Sequence, residues 1–466
     1  MDVSEILRVS MWRGYQSVTS WGNTQMRWKE SRLNFFDGRV FMWMESRFRR
    51  RFEGLFFEKT TRFQLFLSLL IATFLASCLI GCGDRTNLDS KAKIQRGPEV
   101  SSDETGAKPS AAKSPKDGLI RTVEDWKTLG RTEPVRHIVC SGSGALRLVT
   151  YMGVADRVVA VERIEQQAST VAPYRLAHPE YGKLPIFGEG HGRDNVEQLL
   201  SLDPKPDVIF RIDNPGSGMD PVVLQERTGI PVVLISYGDL GAARSQLDGS
   251  LRLIGEVLQV QERAESVIAF FDSEIMELQK RVENLPSQSS PVVYFGGLSY
   301  RGVHGFCSTA PGYPPFEWLR LESPASQLTS DVIHASHAMI SAEQIVAWNP
   351  DILFVDLGTL DMPGSGALSE LKTQPLYRSM DAVRNGRLFA LYPNQGYNTN
   401  FSAELANAWY IGSVAYPQPF ADVDIPAKIA NIFRFFTGDT PLVNGPERLK
   451  SMVYRPISLS VISGDR

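Results

Sequence analysis

Two stretches in different halves of the chain carry one pattern. Glu197-Gln198-Leu199-Leu200 is followed by Pro206-Asp207-Val208-Ile209-Phe210, and Glu343-Gln344-Ile345-Val346 by Pro350-Asp351-Ile352-Leu353-Phe354. Each reads as a short helix with an exposed glutamate, a Pro-Asp turn and a buried strand; the first copy has two extra residues. Between them, residues 262–284 place apolar side chains at 264, 267, 268, 271, 275, 278 and 282, one helical stripe. Leu285-Pro286 ends this helix, which at about 1.5 Å per residue runs roughly 34 Å. Short apolar runs alternate with helical patterns: 138–140, 158–161, 208–210, 232–235, 292–295, 352–355 and 388–391. Several are apolar throughout, as strands covered on both faces are. The expected fold is therefore α/β: two Rossmann-like lobes with parallel sheets, residues 119–261 and 285–442, joined by one long helix with a ligand cleft between them.

The chain before the lobes reads differently. Phe63–Ile80 is apolar behind Lys59, Arg62 and a cluster of arginines at 47 and 49–51, and small residues precede both Cys78 and Cys82. Basic segment, apolar run, then small residues is the layout of a secretory signal. Leu75-Ala76-Ser77-Cys78 and Leu79-Ile80-Gly81-Cys82 both resemble the bacterial lipobox, in which the cysteine is lipidated and the chain is cut before it. Cys82 is the expected lipidation site, because polar sequence starts directly after it, with Cys78 as the alternative; an uncleaved membrane helix is the competing reading. Met44 opens a more ordinary leader, so residues 1–43 are expected to come from a misplaced start codon. Residues 83–118 hold few large apolar side chains and are expected to be a disordered tether. Residues 443–466 are weakly patterned and are expected to be a tail.

Composition excludes several classes. A net charge of −3 on 466 residues gives no general attraction to nucleic acid. Four cysteines at 78, 82, 140 and 307 form neither a disulfide scaffold nor a zinc motif; Cys140 and Cys307 are expected to be unbridged thiols. His334 and His337 are three apart without an evident third ligand, so no metal site is expected. A rival reading comes from Cys140-Ser141-Gly142-Ser143-Gly144-Ala145-Leu146-Arg147 after a strand, with Glu162 ending the next, which imitates a dinucleotide-binding oxidoreductase. Arg147 stands where the third glycine belongs, and no catalytic constellation follows, so the chain is not expected to be an enzyme. A lipid-anchored scaffold or sensor that has lost transport is a further alternative.

From about residue 119 to 440 the chain resembles the periplasmic substrate-binding proteins of ABC importers for iron chelates and cobalamin. The resemblance is carried by HIVCSGSGALRLVTYMGVADRVVAVE (137–162), the two Glu-Gln…Pro-Asp segments, the joining helix, GRLFALYP (386–393) and ELANAWYIGSVAYP (404–417). SYRGVHGFCSTAPGYPPFEWL (299–319) looks like a subgroup of iron transport. The resemblance implies a rigid helix between the lobes, modest closure on ligand, and one glutamate per lobe, Glu197 and Glu343, that docks on arginines of the permease. It also implies as partners the permease and its ATPase, a lipid-anchored extracytoplasmic location, a monomer and a metal chelate as ligand, with no resident cofactor. The cleft is expected to be lined by loops at the C-terminal ends of strands. Those loops offer Ser141, Gly142, Ser143, Arg163, Arg211 and Asn214 from the first lobe. The second offers Tyr300, Arg301, His304, Tyr313, Tyr392, Asn394 and Tyr397. Arginine suits an anionic ferric siderophore and aromatic walls suit a flat haem or corrinoid; both types are present.

Overall fold

The structure is a computed structural model and describes residues 117–167, 172–286, 290–299, 302, 304–327, 337–360 and 366–459. The leader with Cys78 and Cys82, nearly all of the tether, Tyr300, Arg301 and His334 lie outside the described residues.

The first lobe is a five-stranded parallel sheet in the order β3-β2-β1-β4-β5. Its strands are β1 (Ile138–Ser141), β2 (Val158–Glu162), β3 (Ile186–Gly188), β4 (Val208–Ile212) and β5 (Val232–Ile235). Alternating side chains of a strand face opposite sides, so each apolar run serves two cores. Ile138, Cys140, Val208, Phe210, Val233 and Ile235 join the main core, while Val139, Ile209, Val232 and Leu234 join a second cluster on the other face. Ile120 adds a bridge along β5 through Ile120 N to Val232 O and Leu234 N to Ile120 O, at 3.2 and 2.8 Å.

The second lobe has a parallel sheet in the order β10-β9-β6. It is built from β6 (Val293–Gly296), β9 (Ile352–Asp356) and β10 (Leu388–Leu391); β7 (Ser308–Thr309) and β8 (Ala338–Met339) form a small antiparallel pair. The expected tail is part of this lobe. Ile457 N bonds Leu388 O at 2.7 Å, Tyr454 N bonds Ala390 O at 3.0 Å, and Leu449, Val453 and Ile457 are buried. Its apolar residues are too sparse for a periodic signal, yet they cover an otherwise open strand edge.

The two lobes and their seam are held by the helices α1 (Ala145–Tyr151), α2 (Val196–Ser201), α3 (Arg244–Leu258), α4 (Gln261–Val282), α5 (Ala342–Trp348), α6 (Phe401–Ala415) and α7 (Ile425–Thr437), among others. The joining helix α4 buries Ala264, Val267, Ile268, Phe271, Leu278 and Val282, as its stripe requires. It also buries Glu274, which accepts from Trp409 Nε1 at 2.7 Å and Lys428 Nζ at 2.9 Å, so two donors compensate the carboxylate's lost hydration. Aromatic rings then run between the lobes. Tyr237 stacks on Phe401 at 4.8 Å, Phe436 lies 4.7 Å from Tyr151 and 4.9 Å from Phe271, and the main core holds side chains of both sheets without a break.

The repeated Pro-Asp has the same job twice. Asp207 Oδ2 accepts the amides of Arg136 and His137 at 2.8 and 2.9 Å, just before β1. Asp351 Oδ2 accepts the amide of Val292 at 2.8 Å, just before β6. Each carboxylate accepts backbone amide hydrogen bonds, two at Asp207 and one at Asp351, just before the first strand of its sheet, and so fixes the register of two neighbouring strands.

Candidate functional site

The C-terminal ends of the first-lobe strands carry the glycine-rich loop, Glu162, the 189–194 turn and Tyr237. Gly144 has φ +94°, and a Cβ there would stand 2.1 Å from the Tyr237 ring, so only glycine lets that ring approach. The residues that imitate a nucleotide fingerprint are thus engaged with their own chain. Glu162 is buried; its Oε1 accepts the amides of Gly142 and Gly192, both at 3.1 Å. Burial pushes its carboxyl up to about 7, against the lowering effect of these bonds.

The loop after β10 meets this surface. Tyr397 donates its phenol proton to Glu162 Oε2 at 2.9 Å, and the same phenol oxygen accepts the amide of His191. The His191 ring stands edge-on to Tyr397 at 5.0 Å, and its Nδ1 lies 2.9 Å from Ser143 Oγ. Asn398 Nδ2 donates to Ser143 O at 2.9 Å. Arg147 is wholly buried; it donates to Asn400 Oδ1 at 2.7 Å, to Gly396 O and to Tyr237 OH, and its guanidinium lies 4.9 Å from the Tyr174 ring.

The other expected ligand residues are placed variously. Ser141 and Arg211 belong to a buried network: Ser141 Oγ donates to Asp194 Oδ1 at 2.7 Å, and Arg211 pairs with Asp194 while also donating to the carbonyls of Gly192, Ser217 and Met219. Its charge is therefore spent inside the lobe. Arg163 is half exposed and pairs with Glu189, Nε lying 3.0 Å from both carboxylate oxygens. Asn214 is exposed beside a cleft of about 370 Å³ that Arg121 and Asp220 also line. Tyr313 and Tyr392 are core side chains, at 1% and 0% exposure, with Tyr313 stacked on Phe295 at 4.3 Å. Both follow strands in sequence, but their rings turn inward to fill the second lobe.

Asn394 is buried; its amide donates to Asp356 Oδ2 at 2.7 Å, and its Oδ1 has no hydrogen-bond partner among the described residues. Burial pushes the Asp356 carboxyl up to about 7. His304 is half-buried, 5.1 Å from the ring of His337. His337 immediately precedes β8 with Nε2 2.9 Å from Ser308 Oγ, and burial together with His304 lowers its pKa. Among the described residues no group of three or more His, Cys, Asp or Glu side chains is placed to hold a metal ion. Cys140 and Cys307 are free thiols.

Sequence reasoning missed Glu162, His191 and Arg147 as parts of this surface. Arg147 carried a signal, since it is a charge in the otherwise apolar stretch Ala145-Leu146-Arg147-Leu148-Val149.

Glu197 and Glu343 occupy equivalent places. Each is in the first turn of its helix, α2 or α5, behind a side-chain cap: Asn195 Oδ1 accepts the amide of Gln198 at 3.0 Å and Ser341 Oγ that of Gln344 at 3.1 Å. Both glutamates are exposed; Glu197 contacts Arg227 at 3.2 Å. Among the described residues no helix is long and apolar enough to cross a membrane.

Residues 138–394, more than half of the chain, match the family model described as periplasmic binding protein. No curated protein matches the sequence. Solved structures with this architecture include a periplasmic solute-binding protein from Veillonella parvula, with a TM-score of 0.53 at 18% identity, covering 66% of this chain and 89% of that one. An ABC transporter solute-binding protein from Sulfurospirillum deleyianum gives 0.50 at 20% identity, covering 69% and 94%. The molybdate periplasmic binding protein MolA of Haemophilus influenzae, bound to molybdate, gives 0.52 at 17%, covering 66% and 94%. With two parallel-sheet lobes on one long helix and this match across both, the chain belongs to the periplasmic binding protein family, whose members bind small solutes outside the cytoplasm and work with ABC permeases.

Proposed function

We propose that this protein captures an iron(III) chelate of the siderophore type, or a related metal complex, and hands it to an ABC permease driven by its ATPase, without chemistry of its own and as a monomer. Lipidation at Cys82, or Cys78, would hold it on the outer side of a bacterial membrane. The observation that carries the reading is the convergence of strand C-terminal ends and their loops from both lobes at one seam, the place in such α/β sheets where ligands bind.

Arg163, His191 and Asn214 of the first lobe and His304, Asn394 and Tyr397 of the second are the described candidates for ligand contact, and Tyr300 and Arg301 are candidates from the sequence. Arginine and imidazole donors suit an anionic chelate. Ser141 and Arg211 support the first-lobe loops from beneath. Glu197 and Glu343, on matched helix starts in the two lobes, would set orientation on the permease more than affinity. Haem, cobalamin and other corrinoids are the competing ligands for the same fold.

Intrinsic tryptophan fluorescence tests the reading. Trp126, Trp318, Trp348 and Trp409 lie within the folded body. Titration with ferric siderophores, haem, cobalamin and molybdate should give saturable binding at about micromolar or tighter for a ferric siderophore. Saturation by another member of the panel alone, or by none, overturns the siderophore assignment.

A further inference from the structure

The strand ends of the two lobes are tied together by the second lobe's own chain. The loop Pro393–Asn400 reaches the C-terminal ends of four first-lobe strands: Ser143 after β1, Glu162 at the end of β2, His191 after β3 and Tyr237 after β5. The crossings are specific. Tyr397 Oη lies 2.9 Å from Glu162, Asn398 Nδ2 2.9 Å from Ser143 O, Tyr237 Oη 2.6 Å from Thr399 O, and Arg147 Nη2 2.7 Å from Asn400 Oδ1. The backbone is strained where they are made: Tyr397 and Asn398 have φ +56° and +99°, and His191, against which Tyr397 packs, has φ +55°. Side chains other than glycine hold such angles only when their surroundings over-determine them, and such strain collects at clamps and switches. The buried arginine gives the second sign. A guanidinium removed from water needs its donors paired, and Arg147 of the first lobe finds two of its acceptors on the second.

We propose that the Pro393–Asn400 loop is an interlobe latch, with Tyr397 seated between Glu162 and His191 and Arg147 anchoring the loop's base, and that this latch sets the separation of the lobes. The joining helix α4 and the shared aromatic core then carry the lobes, while the latch fixes how far apart their strand ends stand. Glu162, His191, Arg147 and Asn398 are positioning residues in this scheme. Such a latch acts in the same way for any solute the cleft takes.

Distances between spin labels on the two lobes test it in the full chain without ligand, at pH 8, where the Glu162 carboxyl is mostly ionised. Labels carried by genetically encoded ketone residues at exposed Lys205 and Gln374 leave the cysteines untouched. The unaltered chain should give one narrow distribution. Tyr397→Phe removes the phenol bond to a buried carboxylate and should raise the wider-separation population about tenfold or more. Asn398→Ala, which keeps the phenol, should shift it in the same direction. Tyr416→Phe, whose hydroxyl meets Ser290 within the second lobe at 3.1 Å, should not. Distributions for Tyr397→Phe and Asn398→Ala that superimpose on the parent overturn the proposal. So does an equal shift in Tyr416→Phe. If Tyr397→Phe fails to fold, Asn398→Ala decides alone. No ligand enters the measurement, so its outcome is separate from that of the fluorescence titration.

Discussion

Replacing Glu404 by glutamine should flatten the dependence of stability on pH. Glu404 lies in α6 at 3% exposure, and its Oε2 has no partner among the described residues. Burial pushes its carboxyl up from 4.5 to about 8, with Asp239 adding to the rise. Below about pH 4.5 both folded and unfolded chains hold the proton. Above that the unfolded chain releases it first, so stability falls as pH rises until the folded protein titrates near 8. One proton released over this window costs about 1.4 kcal/mol per pH unit, or roughly 3 kcal/mol between pH 5 and 8. Glutamine keeps the shape and has no proton to lose. Urea unfolding of both proteins at pH 5, 6.5 and 8 measures the effect: the variant's stability relative to the parent should rise by roughly 3 kcal/mol across the series. A difference that stays constant with pH refutes the reasoning, because Glu404 would then titrate alike folded and unfolded. Glu162 and Asp356, also raised by burial, act with the same sign, so a residual slope should remain even after the Glu404 change.

Three further outcomes are expected. Charge reversal at both Glu197 and Glu343 should abolish uptake by cells while leaving ligand affinity intact; uptake that survives removes these residues from the docking surface. Asp207→Ala should cost about 1–3 kcal/mol in urea unfolding, because two amides lose their acceptor, and Asp351→Ala should cost less, because only the Val292 amide loses its acceptor. Gly144→Ala should destabilise by at least about 2 kcal/mol, from the meeting with the Tyr237 ring and from its positive φ.

Legibility in the sequence fell with the distance between partners. The seven apolar runs all carry strands, because a strand buried on both faces has a local signature. The three-residue β3 was missed, since Ile186-Phe187-Gly188 between Pro185 and Glu189 is too short to show a period. The stripe of α4 was readable, but the burial of Glu274 was not, as its partners Trp409 and Lys428 are 135 and 154 residues away. The site was least legible for the same reason. Tyr397 was a candidate from its place after β10, yet its partner Glu162 lies 235 residues back. Nothing local distinguishes Tyr397, whose phenol meets the first lobe, from Tyr392, whose ring fills the core. Arg147 read as a broken glycine motif because a charge in an apolar helix has no meaning until the acceptors on the facing lobe are known.

The unbroken main core has a consequence for how the molecule comes apart. Two lobes on a helical strut invite the picture of two independently melting halves. Tyr151 and Phe271 against Phe436, and Tyr237 against Phe401, put rings of both halves into one apolar core, so neither half can denature without exposing rings of the other. Calorimetry should therefore record a single cooperative transition, with van't Hoff and calorimetric enthalpies in agreement. A solute held at the seam would then raise the melting temperature of the entire body, so thermal shift alone would serve to screen ligands for both lobes at once.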